Sequence, residues 1–170
     1  APYFLRTVGD RLEIGGSALT VDVWEFERLV EAGATAEDEH RLDEAVGCYV
    51  SAVELWRGEP FVDLADVDEV IMRRSDLTSR ALVAATRAAE LLVAKGDHAA
   101  ATRMARRALE IDELDEAAHR AAIAAAYYQG DRAGLDVALA RLDGALAELR
   151  VEPSAETAML LELVSAPRAA

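Results

Sequence analysis

The stretch KGDHAAATRMARRALEIDELDEAAHRAAIAAAYYQGD, residues 95 to 131, decides the fold. It carries Gly96-Asp97 near its start and Gly130-Asp131 at its end, and the two pairs are 34 residues apart. That period equals one two-helix repeat unit. Because glycine commonly follows the last residue of a helix and aspartate caps the next one, each pair indicates a turn between helices. We expect capped helices from Asp97 to about Ile111, from Asp115 to Gln129 and from Asp131 to about Leu149.

A stripe of small or apolar residues runs through the same stretch. On such a stripe, small side chains let neighbouring helices approach, and larger ones fill the gap to the next pair. Together with the 34-residue period, the stripe predicts an all-α, tetratricopeptide-like helical repeat. The array is irregular, because the first two copies of the stripe begin 56 residues apart. The three copies, each with spacings of four and three residues, are Ala45, Tyr49 and Ala52; Ala101, Ala105 and Ala108; and Leu135, Leu139 and Leu142.

The remaining periodic segments bring the expected number of helices to about seven. The run after Thr20 predicts a helix that ends at Gly33. Thr35 and Asp38 match a capping box, which predicts that the second helix begins there and runs to Gly58. Two further helices are expected, one from about Glu69 to Ala94 and a short last one after Pro153-Ser154.

Three segments are expected along the chain. Two short runs around Gly9-Asp10 predict a short N-terminal β-hairpin over residues 3 to 14, within a hairpin and linker segment of residues 1–19. Residues 20–164 are expected to form the helical-repeat domain. Residues 165–170 are expected to be a flexible tail.

The composition limits the possible partners. The formal net charge is −14 and the pI is about 4.6, so the surface repels phosphate backbones and anionic lipid. We therefore expect no direct nucleic-acid binding and no membrane association. The single cysteine, Cys48, fits a reducing cytoplasm. Because there is neither a starting methionine nor a signal-peptide pattern, we expect a cytoplasmic piece of a longer protein.

No set of residues indicates catalysis, a metal site or a cofactor. The histidines His40, His98 and His119 have no partner at a conspicuous metal-ligand spacing. Cys48 lies beside the repeat stripe and is expected to be a small core residue rather than a nucleophile. We expect that the chain is not an enzyme.

The segment ELWRGEP, residues 54 to 60, is expected to be a structural landmark. Trp56 falls where the first stripe ends, and its ring can close the packed layer against the following long helix. Gly58 can stop the helix, which leaves Arg57 to cap carbonyls or to pair with a carboxylate. A ligand site at Trp56 and Arg57 is the alternative interpretation.

Candidate binding residues follow from the register of the repeats. In a tetratricopeptide array the first helix of each pair lines the concave surface, so six residues are predicted to face a groove. Arginine and aromatic side chains are typical anchors at interfaces. The alternative is that one tyrosine packs in the core and the other is half exposed. The six residues are Thr86, Glu90, Arg120, Ala124, Tyr127 and Tyr128.

Four stretches carry a resemblance to a known family. They are VDVWEFERLV, AVELWRGEP, the stretch of residues 95 to 131, and ALAELRVEPSAET. In this order they resemble the bacterial transcriptional activator domain, which occurs in the streptomycete antibiotic regulatory proteins and in large regulators similar to the maltose activator. The similarity covers about residues 19 to 164.

This resemblance implies an all-helical, tetratricopeptide-like fold and a role in transcriptional regulation. In the family, the domain usually follows a winged-helix DNA-binding domain and serves contacts with other domains, other subunits or the transcription machinery. The chain departs from the family pattern at three places. Arg150 stands where a glycine is common, Leu139 where a tyrosine is common, and His40-Arg41 where the other repeats have Gly-Asp.

The expected function is that of a non-catalytic protein-interaction domain in a bacterial transcriptional regulator. Its expected partners are other domains of the parent regulator, RNA polymerase or a second subunit. One alternative is an effector-sensing domain that binds a small molecule or peptide in the groove near Tyr127 and Tyr128. The other is a dimerisation module that would form a homodimer, with Met159, Leu160 and Leu163 as its interface.

Overall fold

The helices of the chain form a two-layer array. The computed structural model describes residues 5–9, 11–14, 21–64 and 68–166. Seven α-helices and a 3₁₀ turn at Val62–Leu64 lie within those residues. The helices are α1 (Asp22–Asp38), α2 (Leu42–Leu55), α3 (Asp68–Lys95), α4 (His98–Ile111), α5 (Glu116–Gln129), α6 (Arg132–Leu149) and α7 (Ala155–Ser165).

Helix pairs are the unit of this array. Helix α1 packs on α2, α3 on α4, and α5 on α6, and turns of two or three residues make each pair antiparallel. Each second helix also packs on the next first helix, as α2 does on α3 and α4 does on α5. These contacts confirm the predicted all-α helical repeat. Among the described residues, no helix is long and apolar enough to cross a membrane.

Ahead of the helices, two short strands pair. Strand β1 (Leu5–Val8) lies antiparallel to β2 (Arg11–Ile14), with Leu5 opposite Ile14 and Val8 opposite Arg11. The hairpin predicted over residues 3 to 14 includes residues 3, 4 and 10, which lie outside the described part of the chain. The hairpin as a whole therefore stays a prediction.

Four helices of the array end in the same kind of turn. At the end of α3, the Gly96 N–H donates to the Val93 carbonyl and the Asp97 N–H to the Leu92 carbonyl, both at 3.0 Å. This pair of bonds is a Schellman motif, which requires a left-handed residue after the helix. The left-handed residues of the four turns are His40 (φ 59°), Gly96 (φ 80°), Gly130 (φ 76°) and Arg150 (φ 57°).

His40 and Arg150 therefore occupy positions that favour glycine. The two departures from the family pattern keep the turn rather than change it, because both residues adopt the left-handed conformation. A side chain with a Cβ is strained in that conformation, since the Cβ approaches the following carbonyl oxygen. The turn geometry is thus retained at an energetic cost.

His40→Gly and Arg150→Gly are each expected to stabilise the fold by about 1 kcal/mol, which raises the Tm by about 2–4 °C. Both side chains are exposed, so their removal costs little packing. Thermal unfolding followed by circular dichroism measures the shift. Gly130→Ala is the matched control and is expected to shift the Tm downward, because it places a Cβ at φ 76°. A lower Tm in His40→Gly contradicts the prediction.

The residues that cap the N-termini of four helices are the ones that the sequence predicts. Asp97, Asp115 and Asp131 each accept a hydrogen bond from the backbone N–H three residues later, at 3.0, 2.6 and 2.9 Å. Such a bond satisfies one of the free donors in the first turn of a helix. Ser154 begins α7 in the same way, with the Thr157 N–H at 3.3 Å. The predicted starts of α4, α5, α6 and α7 are therefore confirmed.

The predicted boundary between the first two helices is wrong. Helix α1 passes through Gly33 and ends at Asp38, and Thr35 donates its hydroxyl to the Glu31 carbonyl instead of capping a helix. Gly33 is buried, and a Cβ built on it would lie 2.7 Å from the ring of Tyr49. Gly33 thus allows close packing of α1 on α2 rather than ending a helix.

The predicted stripe forms the contact between the layers. All three residues of the first copy and all three of the second are buried. In the third copy Leu142 is buried, whereas Leu135 and Leu139 are only half-buried. The last pair is therefore less completely covered than the first two.

The landmark segment lies at the end of α2, which stops at Leu55 rather than at the predicted Gly58. Trp56 caps the helix and packs on Phe26, with ring centroids 5.9 Å apart. It also packs against the cluster that contains Leu77 of α3. Arg57 pairs with the Asp22 carboxylate at 2.7 Å. Gly58 adopts a φ of 140° in the following loop.

Candidate functional site

The first helices of the pairs form one continuous face. Helix α3 packs on α5, and α5 packs on α7. Ion pairs join α1 to α3, with Arg73 and Glu27 2.6 Å apart and Arg80 and Glu31 3.7 Å apart. We call the surface formed by α1, α3, α5 and α7 the first-helix face.

A row of ion pairs crosses this face. The Arg87 guanidinium on α3 pairs with Glu37 on α1 and with Glu90 on its own helix. Glu90 Oε1 lies 3.3 Å from Arg120 Nη2 on α5. We call these four residues, Glu37, Arg87, Glu90 and Arg120, the ion-pair row. It links three helices through alternating charges that are each partly shielded from water.

The electrostatics of the row favour the charged forms. The hydrogen bond from Arg87 lowers the pKa of Glu37, and the same bond raises the pKa of Arg87. The Tyr49 hydroxyl donates to Glu37 Oε2 at 3.1 Å. Burial, with the adjacent Glu37 carboxylate, raises the pKa of Tyr49 to about 12. Glu37 is therefore ionised at neutral pH and Tyr49 is neutral.

Glu37→Gln is expected to lower the stability at pH 7 by about 1 kcal/mol, because the charge-assisted bond to Arg87 is lost. The folded-state pKa of Glu37 is lowered, so its contribution is present above the ordinary carboxyl pKa and disappears as the pH falls through the lowered value. The gap in the free energy of unfolding between the native chain and Glu37→Gln should therefore close under acidic conditions. Urea unfolding at pH 7 and at about pH 3.5 measures it; a gap of equal size at both pH values contradicts the prediction.

The row ends on α7 at a buried hydroxyl. Arg120 Nη1 donates to Thr157 Oγ1 at 3.4 Å, and the Ser154 hydroxyl lies 3.1 Å from the same oxygen. The Ser154 N–H donates to Glu116 Oε1 at 2.7 Å. Burial raises the pKa of Glu116, but hydrogen bonds from Thr157 and Ser154 outweigh it, so the net pKa is lowered. These bonds fix the start of α7 against α5.

A shallow pocket of about 230 Å³ lies beside the row, between α3 and α5. Val83 is 54% exposed at its edge, and Leu82 is half-buried. We call this pocket and the adjoining Arg120 the first-helix groove. An apolar patch beside paired charges suits a peptide side chain rather than a chemical step. The lining residues are Leu82, Val83, Thr86, Arg87, Glu90, Asp115 and Ala117.

The structure divides the six predicted site residues into two groups. Thr86 and Glu90 line the first-helix groove, and Arg120 pairs with Glu90 beside it. Tyr127 and Tyr128 lie near the other end of α5 and contact each other edge-on, with centroids 5.3 Å apart. Ala124 is half-buried on the same helix.

The two tyrosines face different neighbours. Tyr128 is exposed and stacks on His98 of α4, with centroids 5.8 Å apart. Tyr127 lines a separate pocket of about 610 Å³, together with Leu135 and Leu139 of α6 and Val164 of α7. The tyrosines and the groove around Glu90 are thus distinct surfaces.

Sequence reasoning missed Arg87 and Glu37, which form the centre of the ion-pair row. Arg87 lies three residues before Glu90, and that spacing places both on one side of a helix. Glu37 had no comparable signal, because it pairs with a residue 50 positions away. Among the described residues, no group of three or more histidine, cysteine, aspartate or glutamate side chains could hold a metal ion.

A model of the family described as "Bacterial transcriptional activator domain" matches residues 21–164. A search of curated proteins gives no match. The matched range includes all seven first and second helices apart from the last residue of α7. Since the match covers most of the chain and agrees with the resemblance found in the sequence, the chain belongs to the bacterial transcriptional activator domain family.

Proposed function

We propose that this domain of a transcriptional regulator is non-catalytic and binds a partner protein segment in the first-helix groove. The observation that supports the proposal most directly is the combination of exposed Val83 with the paired charges of Arg87 and Glu90. An apolar side chain of the partner would cover Val83. Polar groups next to it would bond to the half-exposed charges at the rim.

Several finer parts of this function are also proposals. Residues 20–164 would act as the docking unit, with residues 1–19 as the connection to a preceding module and residues 165–170 as a tail. The partners would be other domains of the parent regulator, RNA polymerase or a second subunit, in the cytoplasm. The chain would not bind nucleic acid itself, because its net charge is −14.

The effector-sensing alternative has less support. It requires Glu90, Arg120, Tyr127 and Tyr128 to line one cavity. Instead Glu90 belongs to the groove between α3 and α5, while Tyr127 lines the pocket next to α6 and α7. A single effector would have to bridge two surfaces.

Val83→Asp tests the docking proposal. The probes are purified RNA polymerase holoenzyme and the parent regulator's other domains, each titrated against the immobilised chain. A charge at the exposed edge of the groove, which a bound partner would cover, is expected to weaken binding to one of them by about tenfold or more. Val137→Asp on α6 is the matched control, because Val137 is 55% exposed and lies outside the groove.

Equal binding by the two variants contradicts the proposal. A metabolite that raises the Tm of the native chain but not of Tyr127→Ala would favour the effector-sensing alternative instead. We expect the variants in both measurements to be folded, because each substituted side chain is at least partly exposed.

A further inference from the structure

A second groove lies between α2 and α4, in the layer of second helices. Val53 of α2 is buried in the core cluster that contains Tyr49, and Met104 of α4 is half-buried and packs against the same cluster. The base of the groove is therefore apolar. Its volume is about 320 Å³, and we call it the arginine groove. The lining residues are Val53, Glu54, Arg103, Met104, Arg106, Arg107 and Glu110.

One arginine of this groove belongs to the fold. Arg107 Nη1 lies 2.6 Å from Glu110 Oε2, one turn further along α4. Arg107 Nη2 donates to the Trp56 carbonyl at the end of α2. Because the last carbonyls of a helix have no partner within the helix, the guanidinium satisfies a group that would otherwise need water. Arg107 therefore joins α4 to α2 and holds the Glu110 carboxylate.

The other two arginines have no partner in the part of the chain that the structure describes. Arg103 and Arg106 are exposed, and neither forms a hydrogen bond or an ion pair with a described residue. Along α4, the residues three and four positions from Arg103 are alanines or arginines. Glu110 has the right spacing to pair with Arg106, but it is bonded to Arg107 instead.

This cluster of arginines does not stabilise α4. Like charges three or four residues apart on a helix repel each other, and Arg103 has two such neighbours, Arg106 and Arg107. The chain has 32 acidic and 18 basic residues, yet no acidic residue of the described ranges neutralises Arg103 or Arg106. Two unpaired guanidinium groups one turn apart, beside an apolar base, therefore indicate a site for an anionic group.

The chemistry of the groove favours an acidic protein segment as its occupant. A guanidinium group binds a carboxylate through two parallel N–H···O bonds. Met104 is flexible and apolar, so it can adapt to an apolar side chain of the same segment. A nucleic acid would bring a long row of phosphates to a chain with a formal net charge of −14, whereas a short segment brings few charges.

We propose that the arginine groove binds a short acidic segment of a partner protein that also carries apolar residues. Carboxylates of the segment form ion pairs with Arg103 and Arg106, and an apolar side chain next to them packs on Met104. This surface is formed by second helices and is separate from the first-helix groove. The domain can therefore hold two partner segments at the same time.

The probe is a labelled synthetic peptide of sequence EDLDEFLDE, which has carboxylates on both sides of its apolar residues. It is titrated with the 170-residue chain at low salt, and fluorescence anisotropy gives the affinity. Saturable binding is expected. The double variant Arg103→Gln and Arg106→Gln is expected to weaken it about tenfold or more, because two charge-assisted contacts are lost. Added salt is expected to weaken binding to the native chain.

The double variant Arg132→Gln and Arg141→Gln is the matched control. Both arginines are exposed on α6, and neither has a partner among the described residues. Each double variant removes two positive charges from a chain whose net charge is −14. Peptide binding by the control is expected to stay within about twofold of that by the native chain, since its charges lie outside the groove. Equal weakening by both double variants would assign the effect to overall charge and overturn the proposal.

Two further comparisons test the apolar contact and the place of binding. The peptide EDSDESSDE, which keeps every carboxylate but has serine at the apolar positions, is expected to bind about tenfold more weakly. Val83→Asp should leave binding of the first peptide unchanged, because Val83 lies in the first-helix groove. A loss of peptide binding in Val83→Asp would assign the acidic segment to that groove instead.

Two other outcomes also overturn the proposal. One is the absence of saturable binding of EDLDEFLDE, or equal binding of the serine peptide. The other is saturable binding of duplex DNA at the same salt concentration that is lost in the double variant Arg103→Gln and Arg106→Gln, which assigns the groove to nucleic acid. Circular dichroism verifies that both double variants fold, as the exposure of all four side chains predicts.

Discussion

Gly33→Ala is expected to destabilise the domain by about 2 kcal/mol, which lowers the Tm by about 4–8 °C. The new methyl carbon would lie 2.7 Å from two ring carbons of Tyr49. Tyr49 is 3% exposed, and its hydroxyl is bonded to Glu37, so the ring cannot move aside freely. The helices α1 and α2 must therefore separate or the ring must leave its place. Urea unfolding measures the loss.

Gly47→Ala is the matched control for this result. Gly47 lies inside α2, and a Cβ built on it has no neighbour within 4 Å. Because alanine favours a helix over glycine, this variant is expected to gain about 0.5–1 kcal/mol. The same added methyl group is thus expected to lower the free energy of unfolding at Gly33 and to raise it at Gly47. A higher free energy of unfolding in Gly33→Ala would show that α1 and α2 do not pack through this contact.

Leu142→Ala is expected to lower the free energy of unfolding by about 3 kcal/mol, which lowers the Tm by about 10 °C. Leu142 is fully buried and is among the largest such side chains in the described part of the chain. Its truncation removes apolar contacts and leaves a cavity between α6 and its neighbours. Thermal unfolding and urea unfolding both measure the change.

Leu139→Ala on the same helix provides the comparison. Leu139 belongs to the same stripe but is only half-buried beside the pocket that Tyr127 lines. Since water already reaches this site, truncation of Leu139 is expected to lower the free energy of unfolding by about 1 kcal/mol. Equal losses at Leu142 and Leu139 would mean that α7 covers the stripe of the last pair evenly.

The sequence predicts the repeat because the signals for it are local. Asp97, Asp115 and Asp131 cap helices by bonds to residues three positions away, and short-range signals of this kind can be read from neighbouring letters. The 4,3 stripe identifies the buried side of each second helix. Family membership follows from the order of the same segments.

The errors fall where the decisive neighbour is distant in the sequence. Gly33 has the pattern of a helix stop, yet its role depends on Tyr49 in the next helix. His40 gives no turn signal in the sequence, although it adopts the left-handed conformation that Gly96 adopts in the next repeat. Both features depend on how two helices meet, which propensity alone does not determine.

The candidate site shows the same division. Register alone places Glu90 and Arg120 on adjacent first helices, and the structure pairs them at 3.3 Å. Register does not separate Tyr127 from the groove, because the difference arises from how α7 lies beside α6. Glu37 could be found only once α1 and α3 were known to be neighbours.

The length of α3 has a consequence for how the domain unfolds. This helix has 28 residues, about 42 Å, twice the 14 residues of its partner α4. Its first half packs through Leu77 and Ala81 on the first pair, and its second half through Ala88 and Leu92 on the core shared with α4. We therefore expect helices α1 to α4 to unfold as a single cooperative unit. Local opening should begin instead at α7, whose amide protons will exchange with solvent long before those of α3.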